Sequence, residues 1–551
     1  MKKKSKEKIA ITLFLIITII AKIWLIKVQP VRYLPTNKYD DGLMVNMANN
    51  LLQGKWLGEY NCLTLVKGIF TPLFIAITKI IGIPFLIGQD LFYDISCIFV
   101  IYVVGKILKN KKLLGIIYIC LIFNPITYSA ELCRVYRDGI YSGLTMFLIG
   151  FAYIIFLNRR ENIQKQIKYF VGLGITLSSL YLCREETIWL LPFVLMSTII
   201  TMIIIAKDKN INNTKKRLLL SLIPIGIVIV NNLLVCTINY KNYGVFELNQ
   251  YWSKEFKSAY GALTRVKPKE TYSRVPVSQE TMKRIYEISP KFKELENYLS
   301  GEEGKRWSKC GDGQYGEIQG GWLHWALIRA VEEQGYYKDA KTANKYYQEL
   351  ADEINNAIDN GKIEGYQEKR VSIVPKFSYK EILETFIKSE KAIKYQTKYY
   401  LVNTEVQWSY KDDEKDVTMW QNVTTSKTDF VEKYTGKFDK LKLEILKNIK
   451  IIYEKVNPCL FIISIICLIV EVIYFIRNKE KNYKQILLIL GLATLYYCRI
   501  FIITFTSITM YSTAMNSMYL ANTYGIQILF SLCSIVFCMN NINFKKILKG
   551  E

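Results

Sequence analysis

Apolar runs near 20 residues long alternate along this chain with short basic stretches, and one long polar block interrupts the alternation. The first run, Ile9–Lys27, follows the basic start MKKKSKEK. Runs of this length match the roughly 30 Å hydrocarbon core of a bilayer at about 1.5 Å per helical residue. No small-residue cleavage site follows the first run, so it reads as a retained helix. Spans are expected at 9–27, 91–108, 113–129, 139–157, 168–183, 187–206, 217–238, 457–477, 484–506 and 514–538. Loops Lys109–Lys112, Asn158–Lys168, Lys207–Arg217 and Arg477–Lys484, with the tail Lys545–Lys549, are basic and mark the cytoplasmic side. Ten crossings leave both termini there. Gly68–Gly88 is interrupted by Pro72, Lys79, Gly82 and Pro84, which predicts a re-entrant piece rather than a crossing.

The pattern therefore predicts an α-helical polytopic membrane protein of about 10–12 transmembrane helices. Residues 1–238 form a first membrane module whose first outer loop is 28–67, and residues 457–551 carry the last helices. Between them the polar block 239–456 is expected outside the membrane as a mostly helical, extracytoplasmic domain. Its clearest helix is Lys338–Asn360, with apolar residues at a 3.6-residue period and a stop at Asn360-Gly361. Leu323–Glu333 and Tyr379–Lys394 also read as helices, and Val371–Val374 and Thr418–Thr424 as short strands. In the first outer loop, Asp41–Leu52 predicts an amphipathic helix lying in the interface plane, with Asn46, Asn49 and Asn50 on its polar face.

Charge sharpens this picture. The chain has 551 residues, 51% hydrophobic, and a net charge of +25. Residues 241–450 are close to balance, with 36 Lys+Arg against 32 Asp+Glu, so most of the surplus sits in short loops between spans. That distribution suits anionic lipid contact and argues against nucleic acid. Only Cys310 of twelve cysteines falls in the polar block, which excludes a disulfide framework there.

Four polar clusters fall on the outer face: Asp40-Asp41; Lys67; Glu131, Arg134, Arg137 and Asp138; and Arg184, Glu185 and Glu186. Ionisable groups at a membrane boundary are costly unless paired or solvated, so both signs together suggest a polar cavity. A carboxylate base with fixed cations suits transfer from a phosphate-linked lipid donor. Lys67, Arg134, Arg137 and Arg184 would hold the phosphate; Glu131, Asp138, Glu185 and Glu186 would support them. The bland alternatives are a helix cap for one of the acids, a headgroup anchor for Lys67, and structural ion pairs for the rest. A divalent cation could sit at the acidic pair. Gly311, Gly313 and Gly316 spell G-x-G-x-x-G without a preceding strand, and His324, the single histidine, reads as a packed residue between Trp322 and Trp325.

Tyr39-Asp40-Asp41 with the helix behind it, Lys67-Gly68-Ile69-Phe70-Thr71-Pro72, and Arg137-Asp138 together resemble the C-type glycosyltransferase superfamily. Protein O-mannosyltransferases and lipid A aminoarabinose transferases are the nearest likeness, mainly over residues 1–240. The resemblance implies an inverting transferase with Asp40 as base and a polyprenyl-phosphate sugar donor. Its acceptor would be a cell-surface glycan, teichoic acid, lipid or protein on the outer face of the plasma membrane. The chain departs from that pattern in its 239–456 block, and in lacking an arginine in Thr504–Tyr524, although Arg499 is close by. The Lys/Ile/Asn-rich composition points to an AT-rich bacterium and hence to an undecaprenyl carrier. Two other classes compete: a lipid-linked glycan flippase or transporter, and a non-enzymatic receptor or assembly subunit working through 239–456. A flippase would be expected to show internal symmetry, which the sequence lacks.

Overall fold

The computed structural model describes residues 2–34, 39–311, 313–374, 376–428, 436–478 and 483–541. The basic tail 545–549 lies outside them. Nine segments among the described residues are long and apolar enough to cross a membrane: 6–26, 85–104, 111–128, 137–157, 185–207, 214–243, 437–477, 483–509 and 521–541. The protein is a helical, multi-pass membrane protein. The first half comprises α1 (Lys2–Ile26), α2 (Asp41–Leu52), α3 (Phe70–Ile81), α4 (Phe85–Val104), α5 (Lys111–Ile122) and α6 (Arg137–Leu157), then α7 (Ile163–Cys183), α8 (Leu191–Lys207), α9 (Thr214–Leu219) and α10 (Leu222–Tyr243).

The remaining expected crossing is α7, which is less apolar. It still runs the depth of the bundle, antiparallel to α6. Gln166 near its start donates to the Asn158 carbonyl at the end of α6 (2.7 Å), and Arg184 past its end pairs with Asp138 in the first turn of α6. Its 21 residues give about 31 Å of helix.

Besides the last crossing, which starts at Ala521 instead of residue 514, two boundaries differ from the sequence expectation. The second crossing starts at Phe85 instead of residue 91, because Gly82, in the left-handed region (φ 78°), ends α3 and Pro84 starts α4 at once. At 12 residues, about 18 Å, α3 is too short to cross. It exposes Leu73, Ile77, Ile80 and Ile81 along one side. The second difference concerns the last part of the chain, formed by α17 (Lys437–Asn478), α18 (Tyr483–Thr509) and α19 (Ala521–Asn541), numbered after the six helices below. Here α17 is one helix of 42 residues running straight through the boundary expected at 456.

Glycines on α6 let α4 pack close and parallel. A Cβ on Gly143 would lie 2.7 Å from Phe92, and one on Gly150 2.6 Å from Phe99. The basic loops gather at one end of the bundle: Arg160 meets Asp208 at 2.7 Å, Arg217 donates to the Arg159 carbonyl at 2.9 Å, and Arg159 to the Tyr483 hydroxyl at 2.6 Å. The opposite end carries α11 (Lys254–Leu263), α12 (Gln279–Ile288), α13 (Gly320–Glu333), α14 (Ala340–Asp359), α15 (Tyr379–Thr397) and α16 (Glu414–Thr424).

The strand expectations fail. Among the described residues the β pairing consists of two isolated bridges, and Thr418–Thr424 belongs to α16. Its β-branched residues are overridden by an Asp413 N-cap and the packing of Trp420 and Val423. The α2 helix has the expected bounds, but α3 and α16 cover it. Met44, Val45 and Ala48 are fully buried, so protein rather than lipid meets its apolar face.

Candidate functional site

Asp40 occupies the N-cap position of α2, yet its side chain makes no capping bond. It pairs instead with Lys67, which stands three residues before α3. Asp41 is not a cap either: Arg134 grips it bidentately, Nε to Oδ2 at 2.8 Å and Nη2 to Oδ1 at 2.6 Å. The two acids thus diverge to different cations, as neighbours on a helix must. Asp41 is fully buried, whereas the Asp40 side chain is 38% exposed. Asp40 is therefore the more accessible carboxylate of the two.

Electrostatics separate the pair further. At Asp40 burial, which would raise the carboxyl, is outweighed by Lys67, Arg134 and Arg137, and its pKa lies below the usual carboxylate range. At Asp41 burial wins over Arg134, and the pKa lies above that range. Burial also lowers the Lys67 ammonium, against the pull of Asp40.

Beside this pair, Arg184 joins Asp138 and Glu186, and Arg137 meets Glu185 at 2.9 Å. Glu185 also accepts from the Gly68 N–H and from Asn249, both at 3.0 Å. Gly68 is required here: a Cβ would fall 2.1 Å from the Leu182 carbonyl at the end of α7. Lys67-Gly68 can therefore sit against Glu185. Glu131 stands apart from the cluster, beside Ser517, Ser129 and Arg32.

Three residues to which the sequence assigned no site role stand here. The Tyr136 ring lies 5.0, 5.6 and 5.3 Å from the cationic groups of Lys67, Arg134 and Arg137. Trp325 of α13 closes over Lys67 at 5.9 Å and packs on Tyr39 at 5.5 Å, so the polar block walls the site. Arg499 is fully buried, donates to the Tyr519 carbonyl through Nε (3.1 Å) and Nη2 (2.9 Å), and makes no ion pair among the described residues. A tyrosine between two arginines, and one arginine inside an apolar span, were the available signals. His324 is buried against Tyr251 and Trp325, where burial takes its imidazole down to about 4.

No group of three or more His, Cys, Asp or Glu able to hold a metal occurs among the described residues. A divalent cation at the acidic pair would have to displace Lys67 and Arg134.

A cavity of about 1030 Å³ opens between α7, α8 and α10. Leu173, Leu177, Val194 and Val228 line its middle, Arg217 its basic-loop end, and Lys67, Glu185 and Asn249 the other. Lys67 thus borders both the cavity and Asp40.

No family model and no curated protein matches this chain. Among solved structures it is similar to ArnT from Cupriavidus metallidurans in the apo state, at 11% identity and a TM-score of 0.32, covering 96% of this chain and 78% of that one. It is also similar to the same protein bound to undecaprenyl phosphate, at 11% identity and a TM-score of 0.33, covering 95% and 77%. At such TM-scores neither likeness bears on function.

Proposed function

We propose that this protein is an inverting membrane glycosyltransferase using a polyprenyl-phosphate sugar donor. The observation that carries the reading is the position of Lys67, shared between a lipid-sized apolar cavity and a partly exposed carboxylate. The isoprenoid chain lies in the cavity between α7, α8 and α10, whose volume is at the upper end for ligand sites. The donor phosphate meets Lys67 and draws on the cations behind Tyr136, with Arg499 as an uncommitted positive charge. Asp40 takes the proton of an acceptor hydroxyl as that oxygen bonds to the sugar C1. The C1–O bond to phosphate breaks, and polyprenyl phosphate leaves with the electron pair. Asp41, held by Arg134, fixes the start of α2 and so the direction of Asp40.

The basic loops support a site at the opposite end of the bundle, on the outer face of a plasma membrane. The carrier is undecaprenyl, and the acceptor belongs to the cell envelope.

A donor-dependent transfer assay in membranes tests this. Asp40→Asn keeps size and most hydrogen bonding but cannot take a proton, and should cut transfer by roughly 10²–10⁴-fold with normal insertion. Near-wild-type transfer by Asp40→Asn, with Asp41→Asn inactive, would move the base. Both variants active would remove the acidic pair from the mechanism and favour a lipid transporter using the same cavity.

A further inference from the structure

A second cavity, of about 850 Å³, lies on the other side of α2, between the loop 53–64 and α16. Asn46 and Asn49 project from α2 into its wall at a spacing of three, hence on one face. Neither amide has a hydrogen-bond partner among the described residues, so each offers both a donor and an acceptor. Asn50 and Asn61 are committed instead, Asn50 donating to the Leu57 carbonyl at 3.1 Å and Asn61 accepting from the Leu63 N–H at 2.8 Å. They brace the loop that closes the cavity.

Three carboxylates, Glu59, Asp412 and Asp416, line it, with Lys55 as the one cation among the described lining residues. Asp412 accepts from the Tyr33 hydroxyl at 2.6 Å, and the Tyr33 ring packs edge-on against Trp420 at 5.0 Å. The Trp420 indole N–H is buried with no hydrogen-bond partner among the described residues. Met47, Leu57 and Met419 complete an apolar side. Unspent amides, acceptor carboxylates and an apolar wall together match a saccharide, whose hydroxyls both donate and accept while its C–H faces pack on apolar groups. Even with Asp412 set aside, Glu59 and Asp416 outnumber Lys55 among the described lining residues, a surplus that selects against uronates and phosphates.

We propose that this cavity is a binding site for a neutral or amino-sugar oligosaccharide. Asn46 and Asn49 lie six and nine residues from Asp40, about 9 and 14 Å along the helix axis. A glycan held there would extend toward the start of α2 and present its end to Asp40; that second statement rests on the transferase reading, the binding itself does not.

The test uses the full-length protein in lipid nanodiscs, titrated calorimetrically with chitotriose, glucosamine trimer and galacturonate trimer. At least one of the first two should bind saturably up to millimolar concentration, and the galacturonate should not. Asn46→Leu/Asn49→Leu should weaken binding roughly tenfold or more, as expected for two lost hydrogen bonds, with an unchanged melting temperature. No saturable binding by either of the first two probes, equal binding of galacturonate, or unaltered binding by the double variant would each overturn the proposal. In transfer assays the double variant should raise acceptor KM and leave donor KM alone. Asp40→Asn should retain oligosaccharide binding while losing transfer. If Asp40→Asn transfers normally while the double variant loses binding, the transferase reading fails and the cavity stands.

Discussion

At the scale of the residue, Lys67 decides the chemistry of Asp40. Its charge holds the Asp40 carboxyl down against burial, so the proposed base is ionised throughout the neutral range. Removing that charge leaves burial and the remaining arginines, and the carboxyl moves up. At any given pH a smaller fraction is then ionised. Lys67→Ala should therefore shift the acid limb of the pH–rate profile to higher pH, besides weakening donor use by about 1.5–3 kcal/mol for the lost charge-assisted bond. Lys67→Arg should restore part of both. An unshifted acid limb would place the essential base elsewhere. His324 makes a separate, structural prediction. Its folded pKa of about 4 lies below the ordinary value, so it contributes stability above about 6.5 that is lost as pH falls toward 4. The shift is worth roughly 3 kcal/mol. The melting temperature of detergent-solubilised protein should fall over that window, and His324→Phe should flatten the fall.

At the scale of the element, an ion cluster inside the membrane fixes α1 against α4. Lys22 lies 2.6 Å from Asp90 and 2.7 Å from Asp94, and all three are buried within crossing helices. Hydrocarbon offers no counter-ion, so such groups persist only when paired. Lys22→Met would strand two carboxylates and should cost about 3–5 kcal/mol, read as a large drop in melting temperature. Lys22→Met/Asp90→Asn/Asp94→Asn should recover most of it, because the stranded charges are then gone. This cluster has a functional consequence, since α1 ends at Ile26 and the chain reaches Asp40 only fourteen residues later. A loosened α1 should lower transfer through the position of Asp40 without touching the site.

At the scale of the whole molecule, the polarity of the helices sets where the site lies. The basic loops at 158–162 and 208–217 share one end, and the site shares the other with the helices of the polar block. Cys310, partly exposed on that block, should react with a membrane-impermeant thiol reagent in intact cells. Protection equal to that of a cytoplasmic control would reverse the orientation. The polar block also bears on the bundle itself. Phe386 of α15 packs on Phe501 at 4.9 Å, and Gln396 accepts from the Tyr496 hydroxyl at 2.8 Å, so α15 is docked along α18.

Local pattern determined much of this protein. Nine of the ten expected crossings, the bounds of α2 and the helix at Lys338–Asn360 could be read from the residues, because apolar run length and a 3.6-residue period are properties of neighbouring positions. So could the presence of an acidic pair, a lysine before α3 and the Arg137-Asp138 and Arg184-Glu186 clusters. Which acid meets which cation could not. Asp40 reaches Lys67 across 27 positions, Asp41 reaches Arg134 across 93, and Arg184 reaches Asp138 across 46. Only packing brings them within a few ångströms. Packing likewise kept Glu131 out of the cluster, placed Tyr136 among three cations and Trp325 over Lys67, and buried the apolar face of α2. It also set the opposite pKa directions of Asp40 and Asp41, since each is a balance of desolvation against charges that are distant in sequence and close in space.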